Sequence, residues 1–361
     1  MSSRLGTSDG ADLTARLDQA VAAIAAGAAG RDRDPRFPAE AFRALGEAGA
    51  QETTIGAARA GASVRPEWEL LRRVAAADSS VGRILDGHLN AVERLEVAAE
   101  PALRERELAR LEGGRRLLGV WGADPGPGEG APARLGENGA GGPVLRGAKT
   151  FCSGAGGVDA ALVLVGSDEG GPPSLALVDC AGVEIDRDWY RAAGLRASES
   201  HRVVFHDAPV LGILGEPGEL SREPWFARDA MRTAATWAGM FDAAAGAATA
   251  ELARKRAEEP LSQLAAGRIE ALAGTVDAWF ERGIAAADGS PEPRRTGVAM
   301  RAEIDRAAKA LLEAAAAACG SHQFVTAGPL DRARRDLETF LLQHRLEPLL
   351  ARLGAERLAG P

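Results

Sequence analysis

Apolar positions in the first third of the chain recur every three or four residues, the spacing that lines one face of an α-helix. Leu13, Leu17, Val21 and Ile24 form one such face. The stretch from Arg31 to Phe37 is polar and broken by Pro35; Pro38 then opens a second helix, and Gly49 is placed to end it as a C-cap. A third helix begins near Pro66 and carries Leu70, Leu71 and Val74. Asp78-Ser79-Ser80 reads as a cap cluster ahead of a fourth, with Val81, Leu85, His88, Leu89 and Val92 on its apolar side. A fifth stretch runs from Pro101 to about Leu111.

Near Leu117 the pattern changes. Short apolar runs, separated by glycine and proline, replace the long amphipathic ones: 117–121, 145–151, 161–166, 174–179 and 201–207. Several short strands with turn signals between them predict a small sandwich or barrel. From Pro224 the helical period returns in four long stretches, 224–257, 260–286, 295–318 and 330–358, with the linker 288–293 between the second and third. Long helices joined by short loops predict an antiparallel bundle. The expected fold is mainly α with a central β-domain: a helical domain over 1–116, a β-domain over 117–213 and a four-helix bundle over 222–361.

A formal charge of -8 supplies no basic stripe for nucleic acid. No apolar run approaches the roughly 18 residues of a membrane span, and the first residues lack a basic-then-apolar leader pattern. Cys152, Cys180 and Cys319 are odd in number and widely spaced, which suits a reducing cytoplasm rather than a disulfide framework or a zinc cluster. His201 and His206 flank a strand without metal-ligand spacing. The glycine-rich segment 125–130 lacks the Lys-Ser/Thr of a phosphate-binding loop. The expectation is a cytoplasmic protein with no metal, membrane or nucleic-acid partner.

Several segments together resemble the acyl-CoA dehydrogenase superfamily over nearly the whole length. They are FPAEAFRALGEAG (37–49), AAADSSVGRILDGHLNAVERL (75–95), the segment Trp121-Gly122-Ala123-Asp124-Pro125-Gly126, the segment from Gly147 to Phe151, GLRASESHRVVFHDAPV (194–210) with ILGEPG (213–218), and PLDRARRDLETFLLQHRLEPLLARLG (329–354). The resemblance implies a flavin between the β-domain and the bundle, a small-molecule substrate on its other face, and a homotetramer or homodimer. By position it implies flavin contacts from Trp121, Ala123 (where the family has threonine), Phe151, Ser153 and Trp189. Arg256, in ELARKRAEEP, matches the family's flavin-pyrophosphate arginine. The Phe-Gly that usually follows is absent, so FAD and FMN both stay open.

Dehydrogenation needs a carboxylate to take a proton next to a thioester. Both customary positions for a glutamate lack one here: His344 stands at the offset after Arg335-Asp336, and the first bundle helix offers only Asp229. Phe151-Cys152-Ser153-Gly154-Ala155 instead resembles the reduced-flavin monooxygenase branch of the same fold, typified by dibenzothiophene monooxygenases. That resemblance implies His88, Ser153 and His344 around the flavin, oxygen as co-substrate, a small organic substrate and a flavin reductase as partner. A neutral-range imidazole can give or take a proton there, and a serine hydroxyl can donate one hydrogen bond. Two alternatives stand beside it: an acyl-CoA dehydrogenase with Asp229 or another non-standard base, and a non-catalytic subunit or scaffold of the same fold.

Overall fold

The computed structural model describes residues 7–167, 170–289, 292–343 and 345–360, as backbone alone at 7–12, 255–256 and 324. In chain order the helices are α1 (Thr7–Arg33), α2 (Ala39–Glu47), α3 (Ala57–Ala60), α4 (Arg65–Ala77), α5 (Ser79–Ala98), α6 (Pro101–Ala109), α7 (Trp225–Arg256), α8 (Pro260–Gly289), α9 (Pro293–Cys319), α10 (His322–Val325), α11 (Pro329–Leu341) and α12 (Glu347–Leu358). The strands are β1 (Leu118–Trp121), β2 (Arg134–Glu137), β3 (Pro143–Cys152), β4 (Ala160–Val165), β5 (Ser174–Asp179), β6 (Glu184–Asp186) and β7 (His201–Leu214). The chain is therefore mostly helical with a central mixed sheet. It forms two compact units, one of Met1–Gly61, Arg83–Arg191 and Ala197–Ser221, the other of Ala62–Gly82, Ala192–Arg196 and Arg222–Pro361.

The first unit is organised by its sheet, with strand order β1-β4-β5-β7-β3-β2 and β6 pairing β7. β1 runs parallel to β4, and the other pairings are antiparallel. The long β7 serves both halves: it pairs β3 and β6 through its first residues and β5 through its last. Beyond β1 the chain turns back onto β3, where the Thr150 N–H donates to the Ala123 carbonyl at 3.0 Å. One layer of core sits between α5 and the sheet, with Ala91, Val92 and Leu95 against Leu118, Leu162, Leu175, Leu177 and Leu214. Each such leucine or valine withdrawn from water is worth roughly 1.5–3 kcal/mol. In α1 the buried face is Ala20, Ile24 and Ala28, so it begins later than the spacing predicts, and Leu13 is left 40% exposed. α2 stops where expected: Gly49 takes φ +74°, the left-handed turn that glycine adopts without a Cβ penalty.

The second unit is a helical core in which α4 and α7 to α9 are joined by α11. Trp68, Trp237, Phe241, Phe280, Met300 and Phe340 share one buried cluster. α5 starts within this unit, and the Asp78 carboxylate caps it by accepting the N–H groups of Ser80 (2.9 Å) and Val81 (3.2 Å). The fourth long stretch, expected as one helix over 330–358, is two, α11 and α12. Pro348 explains the break: it has no N–H to continue a helix and sits in the first turn of α12 instead. α7 presents alanines and Gly239 to α4, and a Cβ on Gly239 would lie 2.1 Å from the Arg72 carbonyl oxygen. Gly239→Ala must push these two helices apart, and should cost about 1–3 kcal/mol as overpacking does. Urea unfolding measures it, and a variant as stable as wild type would show that the crossing has slack.

Candidate functional site

The site begins at a distortion of β3. Gly147 is needed at its middle because its φ is +104° and a Cβ would lie 2.4 Å from the Pro132 carbonyl oxygen. There the loop passes close enough to bond β3, with Ala148 N–H donating to Ala131 O (2.8 Å) and Ala133 N–H to Ala148 O (3.1 Å). Further on, β3 takes three residue steps, from Lys149 to Cys152, where β7 takes two, from Val203 to His201. This bulge re-aims a side chain, as bulges beside functional sites do. Phe151 sits at its apex with φ +52°, a region that bulky residues avoid, and the residue is 57% exposed. The Trp189 ring meets it edge-on, centroids 4.8 Å apart. Trp189 Nε1–H donates to Glu129 Oε1 at 2.8 Å. Two aromatic rings thus form an accessible platform, with one edge tied down.

Buried bonds hold the ground beneath. Lys149, only 1% exposed, donates from Nζ to the Gly122 carbonyl (3.1 Å) and to Asp124 Oδ1 (2.7 Å). Thr150 Oγ1 donates to the Asp124 carbonyl at 3.1 Å. Residues 122–124 are therefore pinned along β3, with Ala123 exposed next to the platform. Trp121, expected as a flavin contact, is instead fully buried. Its Nε1–H donates to the Ser153 carbonyl at 3.1 Å and its ring lies 6.3 Å from that of Phe205, so it packs the interior and supports the turn that follows β3.

Ser153 begins that turn. Its Oγ is 2.8 Å from Ser200 Oγ, which is in turn 2.8 Å from Ser198 Oγ, and all three serines are buried. Ser198 and Ser200 were not singled out by sequence reading. No period in the sequence signals them, because Ser198 ends a 3-10 turn and Glu199 between them takes φ +44°. The turn is fastened to that segment by Gly154 N–H to Ser198 O (2.8 Å) and Ala155 N–H to Glu199 O (3.3 Å).

His88 is 0% exposed. Its Nδ1 accepts the Leu118 N–H at 3.0 Å, which leaves the ring proton on Nε2 to donate to the Gln51 carbonyl at 2.9 Å. Burial, only partly opposed by the Gln51 bond, pushes its pKa down to about 4. Both nitrogens are committed to backbone, so the catalytic part expected of His88 gives way to a structural one: it ties the 51 region to β1. His344 lies outside the described residues, and so does the Arg256 side chain. Asp229, on α7, has a carboxylate oxygen 3.7 Å from the Arg232 guanidinium. The structure therefore brings together Ala123, Phe151 and Trp189, with Ser153 in the turn that follows Phe151, and adds Glu129, Ser198 and Ser200.

A cleft of about 600 Å³ elsewhere in the first unit is lined by Arg110, Arg115, Arg116, Asp159, Asp179 and Cys180, none of them platform residues. Among the described residues no three His, Cys, Asp or Glu side chains gather as a metal site, and no helix is long and apolar enough to cross a membrane.

No protein-family model matches the chain. Over 172 residues it is 28% identical to a dibenzothiophene monooxygenase from Mycolicibacterium goodii, a match that covers 42% of this chain and 39% of that relative's length. FMN-bound TdsC from Paenibacillus sp. A11-2 superposes with a TM-score of 0.81 at 20% identity, over 97% of this chain and 98% of that one. Methanesulfinate monooxygenase MsuC from Pseudomonas fluorescens does so with a TM-score of 0.79 at 21% identity, over 96% of each chain. The chain shares the fold of these solved structures, and the likeness to dibenzothiophene monooxygenases expected from the sequence recurs among the proteins it is similar to.

Proposed function

We propose that this protein is a reduced-flavin-dependent monooxygenase acting on a small organic substrate. The observation that carries the reading is the exposed Phe151–Trp189 platform, held by a bulge at the end of β3 beside a buried chain of serine hydroxyls. The residues fit a flavin. An isoalloxazine ring is flat and aromatic, and an aromatic pair with one exposed member offers it a stacking surface. When bound in its reduced form, the flavin would supply the two electrons that activate molecular oxygen. The protein's share is to orient, to exclude water and to place a proton donor. Ser200 fixes one direction of the Ser153 hydroxyl, which leaves Ser153 its remaining donor or acceptor capacity for a ligand. Trp121 and Phe205 pack apolar surface below, which keeps solvent from approaching through the sheet.

FMN is the favoured flavin, supported by FMN in the TdsC structure. The reading extends to His344 as the acid–base residue, Arg256 as a phosphate contact, a flavin reductase as supplier, and a cytoplasmic homotetramer or homodimer. The resemblance supports these.

The test is a spectral titration with oxidised and reduced FMN, followed by oxygen and a panel of small sulfur and aromatic heterocycles. Wild type should bind FMN and oxygenate. Trp189→Ala should weaken FMN binding about tenfold, the scale of one aromatic contact. Ser153→Ala should lower turnover about a hundredfold or more while FMN affinity hardly moves, as loss of a positioned proton donor does. Unchanged turnover in Ser153→Ala removes that serine from the reaction. Failure of wild type to bind either form of FMN replaces the enzyme by a scaffold, and bleaching of a yellow complex by an acyl-CoA replaces oxygenation by dehydrogenation.

A further inference from the structure

We infer that Glu129 is the positioning residue of the aromatic platform: its carboxylate selects and holds the orientation of Trp189 through the indole N–H. The inference rests on the reading of that platform as a flavin-stacking surface.

Trp189 belongs to no helix or strand. It follows the three-residue strand β6 in a turn, half-buried, and its ring touches Phe151 only by an edge. An indole has one hydrogen-bond donor and no acceptor, so a single partner sets which way the ring faces. Glu129 Oε1 is that partner at 2.8 Å. The bond from Trp189, and next the bond from Gly126, hold the Glu129 carboxyl below the usual carboxylate range. The acceptor is thus a carboxylate anion, and hydrogen bonds to ionised groups are roughly twice as strong as neutral ones.

Glu129 can serve as an anchor because it is itself anchored, although it sits in a segment of prolines and glycines that would otherwise sample many conformations. Its second oxygen, Oε2, accepts the Gly126 N–H at 2.8 Å, and its own N–H donates to the Gly126 carbonyl at 3.1 Å, so the side chain closes the turn that carries it. Its carbonyl accepts Arg202 Nε–H at 2.6 Å, which fastens the turn to β7. One residue therefore joins three parts of the unit: the glycine-rich loop, β7 and the platform. Aspartate, one methylene shorter, could not span both Gly126 N–H and the indole. Glutamine could still accept the indole proton through its amide oxygen.

The experiment measures FMN affinity by flavin fluorescence, and the Trp189 indole N–H resonance by proton–nitrogen correlation, in wild type, Glu129→Ala, Glu129→Gln, Trp189→Phe, Trp189→Ala and the double variant Glu129→Ala/Trp189→Phe. Glu129→Ala should bind FMN about five- to tenfold more weakly and shift the indole proton upfield as its bond is lost. Glu129→Gln should recover most of the affinity. Trp189→Phe keeps a ring and loses the N–H, so adding Glu129→Ala to it should weaken FMN binding far less than Glu129→Ala does in wild type. Circular dichroism separates these effects from unfolding, and Glu129→Gln carries the test if the alanine variant fails to fold. Wild-type affinity with an unmoved indole resonance in Glu129→Ala, or independent additive losses in the double variant, overturns the inference and leaves the platform standing. Wild-type FMN affinity in Trp189→Ala overturns the platform, and the inference with it.

Discussion

Truncating Glu67 to alanine should cost this protein about 3–5 kcal/mol, the scale measured when one half of a buried ion pair is removed. Arg232, on α7, is 0% exposed, and its Nε–H is hydrogen-bonded to the carboxylate of Glu67, itself buried on α4. An Asp229 carboxylate oxygen also lies 3.7 Å from it. Without Glu67, a guanidinium shut away from water loses its hydrogen-bonded carboxylate, and a charge in such surroundings is costly. The pair itself need not be worth this much, because two charges were desolvated to make it. Glu67→Ala/Arg232→Met should therefore regain most of the loss. Chemical denaturation of wild type, both single variants and the double variant decides the matter. A Glu67→Ala protein within 1 kcal/mol of wild type would mean that Arg232 reaches other acceptors when released.

The second large effect is acid sensitivity set by His88. Its pKa lies near 4 in the folded chain and near 6.5 in an unfolded one. Between these values the unfolded state binds a proton that the folded state refuses. Stability from this group is thus complete above pH 6.5 and is lost as pH falls towards 4, amounting to about 3 kcal/mol at roughly 1.4 kcal/mol per pKa unit. His88→Ala should remove that part of the pH slope. It should also lower stability at pH 7 by about 3–5 kcal/mol, since it opens a cavity and leaves the Leu118 N–H and the Gln51 carbonyl without a buried partner. Urea midpoints at pH 7 and pH 4.5 for both proteins test this. An unchanged pH slope in His88→Ala would assign the acid sensitivity to other groups.

Much of the fold could be read from apolar spacing, and the exceptions share a cause. The five predicted strands correspond to β1, β3, β4, β5 and β7, while β2 and β6 went unseen. β2 reads Arg-Leu-Gly-Glu and β6 Glu-Ile-Asp, too short and polar to carry an alternating signal. Each exists because a longer neighbour, β3 or β7, offers it a row of backbone partners. At the site, Phe151, Ser153 and Trp189 could be found because they lie in or near recognisable segments. Glu129 could not, because the turn that holds it gives no hint of an indole 60 residues on. His88 is the complement: its place on a helix was legible, but its role depends on partners 37 and 30 residues away. Periodicity reports which face of an element is dry. It does not report which backbone groups a polar side chain will meet there.

The second unit takes Ala62–Gly82 and Ala192–Arg196 from far upstream of its main stretch. α4 lends Val64, Trp68 and Ala75 to the cluster around Trp237, and Leu195 N–H is tied to Asp336 Oδ1 at 2.6 Å. A chain emerging from the ribosome thus releases α4 long before the helices that will cover it. Its tryptophan-bearing face stays wet until α7 to α9 have emerged as well, an interval of more than a hundred residues in which it is open to chaperone capture or to a wrong pairing.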